Sequence, residues 1–126
     1  MVGFHGIEYN EGREFAWTSS GISKFRVVKT KNGDVCYIPY QIPEQIEKNY
    51  LEMCNLQAQI CGGRTDRCHI EADKGCIQIA GLSQAPVGTS IEVVISEQLL
   101  WRPSELIGTT DKRALGICIY NDVEFK

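Results

Sequence analysis

The chain has 126 residues, of which 43% are hydrophobic and 23% charged, and its formal net charge at pH 7 is −3. This composition is typical of a globular protein, and the length predicts one domain over residues 1–126. The negative charge argues against a nucleic-acid partner, which would require a basic patch. No run of about 18 apolar residues predicts a membrane span. No basic segment followed by an apolar core marks a signal peptide, so a cytoplasmic location is predicted.

The first two predicted strands, Val2–Tyr9 and Glu14–Thr18, are joined by a turn that contains glycine. In the second of them Phe15 and Trp17 alternate with smaller or polar residues and share one face. This pattern favours the core as the place of Trp17, with an exposed position as the alternative.

A β-hairpin is predicted next, from strands Ile22–Lys29 and Val35–Tyr40. Between them lies Asn32-Gly33, a pair typical of the two-residue type I′ turn. Both central residues of that turn need positive φ, which asparagine and glycine tolerate.

The middle of the chain gives weaker signals. A proline in the first turn, followed by an acidic residue, predicts a short helix over Pro43–Asn49. Two further strands, Cys68–Ala72 and Cys76–Leu82, are predicted around a glycine turn. Thr89–Ser96 is a strand with strong alternation.

The last predicted strand, Leu115–Phe125, has apolar residues at most of its odd positions. A period of two over this length describes a strand with one buried face, and such a strand is expected to lie between two others. Many short strands separated by turn residues, with at most one short helix, predict an all-β fold. This pattern describes a β-sandwich or barrel, and of the two we expect an antiparallel β-sandwich.

Both ends of the chain carry motifs that resemble one family. Residues 102–106 read Arg-Pro-Ser-Glu-Leu, and a short linker with glycine and aspartate leads to Lys-Arg-Ala-Leu-Gly-Ile at 112–117. The N-terminal part contributes residues 3–8, 15–18 and 21–23. In this order the motifs resemble a jelly-roll-like β-sandwich domain associated with bacterial glycosyltransferases and surface-polysaccharide biosynthesis proteins. These motifs leave residues 36–75 unmatched. Within them, the family pattern implies a strand over Tyr50–Leu56.

The resemblance implies a non-catalytic accessory module whose partner is a saccharide or a glycosyltransferase domain. The alternative is a structural or oligomerisation domain that docks a partner protein, including a second copy of itself. The first function predicts exposed aromatic rings beside polar groups, whereas the second predicts an apolar patch or an unpaired strand edge.

The candidate ligand-binding residues lie near both ends of the chain. Arg102, Asp111 and Arg113 can form charge-assisted bonds that either hold their linker in place or bind a ligand, and Glu8 can join them. Trp101, like Trp17, offers a flat ring on which the C–H face of a sugar can stack.

No catalytic residue, metal site or cofactor is predicted. The chain has two histidines and no nucleophile or phosphate-binding motif. A glycan hydrolase acting through two carboxylates is the weakest alternative, because the acidic residues are scattered over separate elements. The six cysteines are predicted to be reduced thiols, with a disulfide as the first alternative. A zinc site is the last alternative, because the cysteines lack close pairs.

Overall fold

The computed structural model describes residues 1–43, 54–61, 67–73 and 75–126, and for Arg67 the backbone alone. The helix predicted over Pro43–Asn49 and most of the strand predicted over Tyr50–Leu56 lie outside these residues. The strands, numbered in chain order, are β1 (Glu8–Asn10), β2 (Arg13–Trp17), β3 (Ser23–Val28), β4 (Cys36–Gln41), β5 (Asn55–Ile60), β6 (Arg67–Asp73), β7 (Cys76–Ala80), β8 (Ser90–Ser96), β9 (Cys118–Tyr120) and β10 (Glu124–Phe125). A short helix, α1, covers Pro103–Leu106.

The strands form one antiparallel sheet in the order β1-β2-β9-β4-β7-β6-β5-β8-β3, and β10 pairs with β4 beside β9. The sheet curls into a half-barrel. The predicted all-β, antiparallel class is therefore confirmed. The last apolar strand lies between two others, as expected, because β9 pairs with both β2 and β4.

The core fills the inner side of the curl, where alternate residues of the strands meet. Along β8, Ile91, Val93 and Ile95 are fully buried. Each of them stabilises the fold by about 1.5–3 kcal/mol relative to an exposed position. Strands β3 and β9, which are far apart in the sheet order, contribute to the same cluster. Its buried members are Phe25, Val27, Cys36, Ile38, Ala58, Ile77, Ile79, Leu82, Ile91, Val93, Ile95, Ile117, Ile119 and Phe125.

The N-terminal segment before β1 hydrogen-bonds to both ends of the sheet. Val2 exchanges two backbone bonds with Lys24 of β3, at 3.0 and 2.9 Å. Two residues later, Phe4 forms a bridge with Thr18 at the end of β2. Gly3 lies between these contacts at φ +74°, and a Cβ there would come within 2.3 Å of the Ile22 carbonyl oxygen. This close approach requires glycine.

The predicted hairpin around Asn32-Gly33 is wrong. β3 pairs with β8 along its whole length, and β4 pairs with β7, β9 and β10. Neither Asn32 nor Gly33 has positive φ. Gly33 instead packs against the end of the chain, where its Cβ position is 2.7 Å from the Lys126 nitrogen.

Two other turns follow local rules. Glu11 and Gly12 have φ values of 51° and 77° and join β1 to β2 as a two-residue hairpin loop. The predicted hairpin of the two cysteine-containing strands is confirmed, because Asp73 of β6 pairs with Cys76 of β7.

The predicted continuous strand Leu115–Phe125 is interrupted. Leu115 forms a bridge with Trp101, and a bend at residues 121–123 separates β9 from β10. Gly116 and Cys118, expected on the outer side, are also buried. The reason is that segment 98–101 and the side chains of β2 cover the outer side of this stretch.

No helix in the part of the chain that the structure describes is long and apolar enough to cross a membrane.

Candidate functional site

An aromatic surface covers the outer side of β2 and β9. Phe15 and Trp17 alternate with buried Ala16 and therefore point away from the core. Phe15 is the register partner of Tyr120, and their rings lie 5.8 Å apart. Trp101 comes from the segment before α1 and packs on Trp17. We call Phe15, Trp17, Trp101 and Tyr120 the aromatic face; all four are partly exposed.

The two tryptophans of the aromatic face touch each other. Their ring centroids are 5.5 Å apart in an edge-to-face arrangement, which aromatic pairs prefer over direct stacking. The Trp101 indole Nε1 donates a 2.9 Å bond to the Gly116 carbonyl oxygen, so this ring has a fixed orientation. The prediction that Trp17 belongs to the core is wrong, because Ala16 and Thr18 take the buried side of that strand.

Three of the predicted charged residues meet beside this face. The Arg113 guanidinium donates hydrogen bonds to the Asp111 carboxylate. Its Nη2 lies 2.8 Å from Oδ2, and its Nε lies 3.1 Å from each carboxylate oxygen. Its Nη1 donates to Glu8 Oε2 at 3.2 Å. We call Glu8, Asp111 and Arg113 the ion cluster. It joins β1 to the linker before β9, although Glu8 and Arg113 are 105 positions apart in sequence.

The ion pair within the cluster favours the charged forms of Asp111 and Arg113. The hydrogen bonds from Arg113 hold the pKa of Asp111 below its usual range, and those same bonds raise the pKa of Arg113. A carboxylate stabilised in its ionised form is unsuited to the general-acid role in glycoside hydrolysis. The arrangement is suited to holding hydrogen-bonding groups in fixed positions.

Arg102 does not join the ion cluster. Its Nη1 donates to the Lys112 carbonyl oxygen, so it holds the linker from the other side. His5, one of the two histidines of the chain, lies here as well: its Nε2 is 2.8 Å from the Ala114 carbonyl oxygen. The predicted linker clamp is therefore present, with Asp111 and Arg113 as its ion pair and Arg102 bound to backbone.

A second charged group at the other end of the aromatic face was not predicted. The Arg13 guanidinium lies 3.6 Å above the Tyr120 ring and bonds to Asp122 at 3.0 Å. The Tyr120 hydroxyl donates to Gln41 Oε1 at 2.6 Å. Only the strand register, which pairs the start of β2 with the end of β9, brings these residues together.

A buried polar network supports the aromatic face from below. The Thr18 hydroxyl donates to Gln98 Oε1 at 2.8 Å and accepts a bond from the Ile117 N–H at 2.7 Å. Gln98 Nε2 donates to Ser23 Oγ at 3.1 Å. The network ties β2 and segment 98–101, which carry the two tryptophans, to the start of β3. Satisfied polar networks of this kind rigidify a structure.

Taken together, the site offers partly exposed rings with charged groups at both ends. In the described part of the chain, no three histidine, cysteine or acidic residues converge as metal ligands. Comparisons of the chain with protein-family models, curated proteins and solved structures give no match.

Proposed function

We propose that the chain is a non-catalytic module that binds a saccharide on the aromatic face, beside the ion cluster. The observation that carries the proposal is the pair of tryptophans, partly exposed and in contact at 5.5 Å. A sugar ring has an apolar C–H face and a polar rim, so it needs aromatic rings and hydrogen-bonding groups side by side.

The ion cluster supplies the hydrogen-bonding groups. Among the described residues, Glu8 Oε1 has no partner and is available to accept a bond from a sugar hydroxyl, while Oε2 is held by Arg113. Because the Arg113 bonds already orient the cluster, a ligand would lose less binding free energy to side-chain ordering.

The wider assignment comes from the family resemblance. We propose an accessory module of bacterial surface-polysaccharide biosynthesis, with the jelly-roll-like sandwich of that family and a cytoplasmic location. The antiparallel sheet and its single core support the fold part of this proposal. The order of the end motifs supports the rest.

The test is a fluorescence and calorimetric titration with soluble oligosaccharides from bacterial capsules and O-antigens. Both tryptophans of the chain lie in the aromatic face, so a bound sugar should change the emission directly. We expect saturable binding that Trp101→Ala weakens at least about tenfold, the loss of roughly 1.4 kcal/mol or more. Arg113→Lys should also weaken saccharide binding, since lysine keeps the charge but lacks the forked guanidinium that bonds to both carboxylates.

Tyr9→Ala is the matched control. Tyr9 is the most exposed aromatic residue among those described, at 73%, and it does not belong to the aromatic face. Its variant should bind as the native chain does. Absence of binding over the whole panel, or equal losses in Trp101→Ala and Tyr9→Ala, would contradict the proposal.

A second candidate function is the docking of a partner protein, such as a glycosyltransferase domain or a second copy of the chain. The observation in its favour is an apolar opening rimmed by exposed Met1, Ile7 and Val28. It lies next to the aromatic face, since Phe15 and Tyr120 also line it.

A further inference from the structure

The outer edge of β3 carries backbone N–H and C=O groups that form no hydrogen bond to the described residues. Along β3, successive residues direct their backbone N–H and C=O groups alternately toward β8 and away from it. Lys24 directs these groups away from β8, to Val2, whereas Lys29 bonds to Thr89 on the β8 side. The even residues Arg26 and Val28 therefore point away from β8. Among the described residues, their N–H and C=O groups have no partner.

An apolar groove of about 410 Å³ runs along this edge. Inward-facing Phe25 and Val27 line it together with outward-facing Arg26 and Val28, as expected when a groove follows the edge of a strand. Its floor reaches the core at Ile38, Ile119 and Phe125, which are at most 8% exposed.

The charge on the edge favours an acidic occupant. Lys24 and Arg26 lie on the exposed face of β3, and within the described residues Arg26 has no ion pair. Glu92, opposite Arg26 on β8, accepts a bond from Gln59 at 3.3 Å instead. Two copies of β3 paired edge to edge would place these basic residues near one another, which is unfavourable.

We propose that β3 binds an extended peptide segment of a partner protein by strand addition, antiparallel to β3 and in line with the N-terminal segment. The bridge between Val2 and Lys24 already sets this register, and the peptide continues it opposite Arg26 and Val28. Its residues alternate: acidic side chains face Arg26, and apolar side chains enter the groove beside Phe25 and Val27. Backbone bonds supply affinity and the alternate side chains supply specificity, as in other β-augmentation complexes.

This inference deepens the partner-docking candidate and does not rest on saccharide binding. Phe15 and Tyr120 of the aromatic face line the groove as well, whereas the two tryptophans do not. The probe is an acetylated, fluorescently labelled peptide of alternating glutamate and valine, and binding is measured by anisotropy. We expect saturable binding to the native chain and at least tenfold weaker binding of a peptide with lysine in place of glutamate. Arg26→Glu should reverse this preference. Lys112→Glu, a charge reversal on the linker and away from the groove, should leave it unchanged.

Val28→Pro tests the edge itself. Proline removes an N–H that points away from β8, and proline is tolerated at such edge positions, so the β3–β8 ladder should remain. We expect this variant to lose peptide binding while its tryptophan emission and any saccharide binding stay native. Equal peptide binding by native chain and Val28→Pro, or no binding by the native chain, would overturn the proposal. A native dimer that becomes a monomer in Val28→Pro would also overturn it, because a second copy would then occupy the edge.

Discussion

At the scale of single residues, two positions are closely packed in the interior. One lies beneath the aromatic face and the other beneath the loop after β7. Gly116 lies against the buried polar network; a Cβ there would be 2.2 Å from Thr18 Oγ1 and 2.8 Å from Gln98 Oε1. Lys29 is buried, and its Nζ donates to the carbonyl oxygens of Leu82 and Ala85 at 2.7 and 2.8 Å. Neither position stands out in the sequence, since the distances depend on chain segments far apart.

We expect Gly116→Ala to destabilise the protein by about 2–3 kcal/mol, because the methyl group displaces the Thr18–Gln98 bond and overpacks the site. Urea denaturation followed by far-UV circular dichroism measures the loss. Gly6→Ala is the control, since nothing lies within 4 Å of its Cβ position. If the two variants unfold at the same urea concentration, Gly116 is not closely packed.

Lys29→Met should destabilise the fold by about 3 kcal/mol. Methionine fills the same space but leaves the Leu82 and Ala85 carbonyl groups buried without their charged donor. Lys24→Met, at an exposed lysine of β3, should change the free energy of unfolding by less than about 0.5 kcal/mol. Equal midpoints for the two methionine variants in urea would show that the buried ammonium contributes nothing.

At the scale of elements, the linker from α1 to β9 is held by side chains rather than by regular structure. Asp111 accepts bonds from the backbone and side chain of Arg113, and its carbonyl oxygen accepts the Ser104 N–H at 2.8 Å. This clamp fixes the position of Leu115, and thereby of its bridge partner Trp101. The stability of the linker should therefore follow the charge of one carboxylate.

The contribution of Asp111 to stability should disappear in acid. The hydrogen bonds of Arg113 lower the folded-state pKa of Asp111 from its usual value of 3.8. A group with a lowered pKa stabilises the fold above its unfolded-state pKa, and that stabilisation is lost as the pH falls through the folded-state pKa. The difference in unfolding free energy between native chain and Asp111→Asn should thus be largest above about pH 5 and vanish toward about pH 2.

Urea titrations of both proteins across this pH range check the expectation. Glu11→Gln controls for the loss of one negative charge, because Glu11 forms no ion pair within the described residues. A difference for Asp111→Asn that stays constant down to pH 2 would mean that the clamp does not depend on ionised Asp111.

At the scale of the whole molecule, burial within the folded sheet protects two thiols. Burial raises the pKa of Cys36 to about 12 and that of Cys118 to about 11. Cys61 and Cys76 lie nearer the surface. Thiolate reactivity therefore reports whether the sheet is intact.

Iodoacetamide at pH 8 should modify Cys61 and Cys76 well before Cys36 and Cys118, because less than about one in a thousand of the latter thiols is ionised there. Peptide mapping by mass spectrometry gives the order. In denaturing urea the order should be lost. Labelling of Cys36 as fast as Cys61 in the native protein would show that the core opens on the timescale of the reaction.

Much of the fold was predictable because the sequence patterns that indicate strands and turns involve residues close together in the chain. The alternation of Ile91, Val93 and Ile95 identifies a strand and its buried face from adjacent residues alone, since side chains alternate across any strand. The hairpin loop at Gly75 needs a glycine with positive φ, and the structure has it at 83°. Of the candidate site, Glu8, Asp111, Arg113 and the two tryptophans were named from the sequence and lie together.

What only the tertiary structure decided concerns pairing over long distances. Asn32-Gly33 carries a hairpin signal, yet β3 binds β8 because burial of Phe25 and Val27 across the curl outweighs a local turn preference. The pairing of β2 with β9 brings Arg13 to Tyr120, and Ala16 is buried while Trp17 points outward. Arg102 bonds to the Lys112 carbonyl oxygen and not to Asp111. The sequence by itself determined the strands and their two faces; closure of the sheet determined which face is the core and which strand edge is left open.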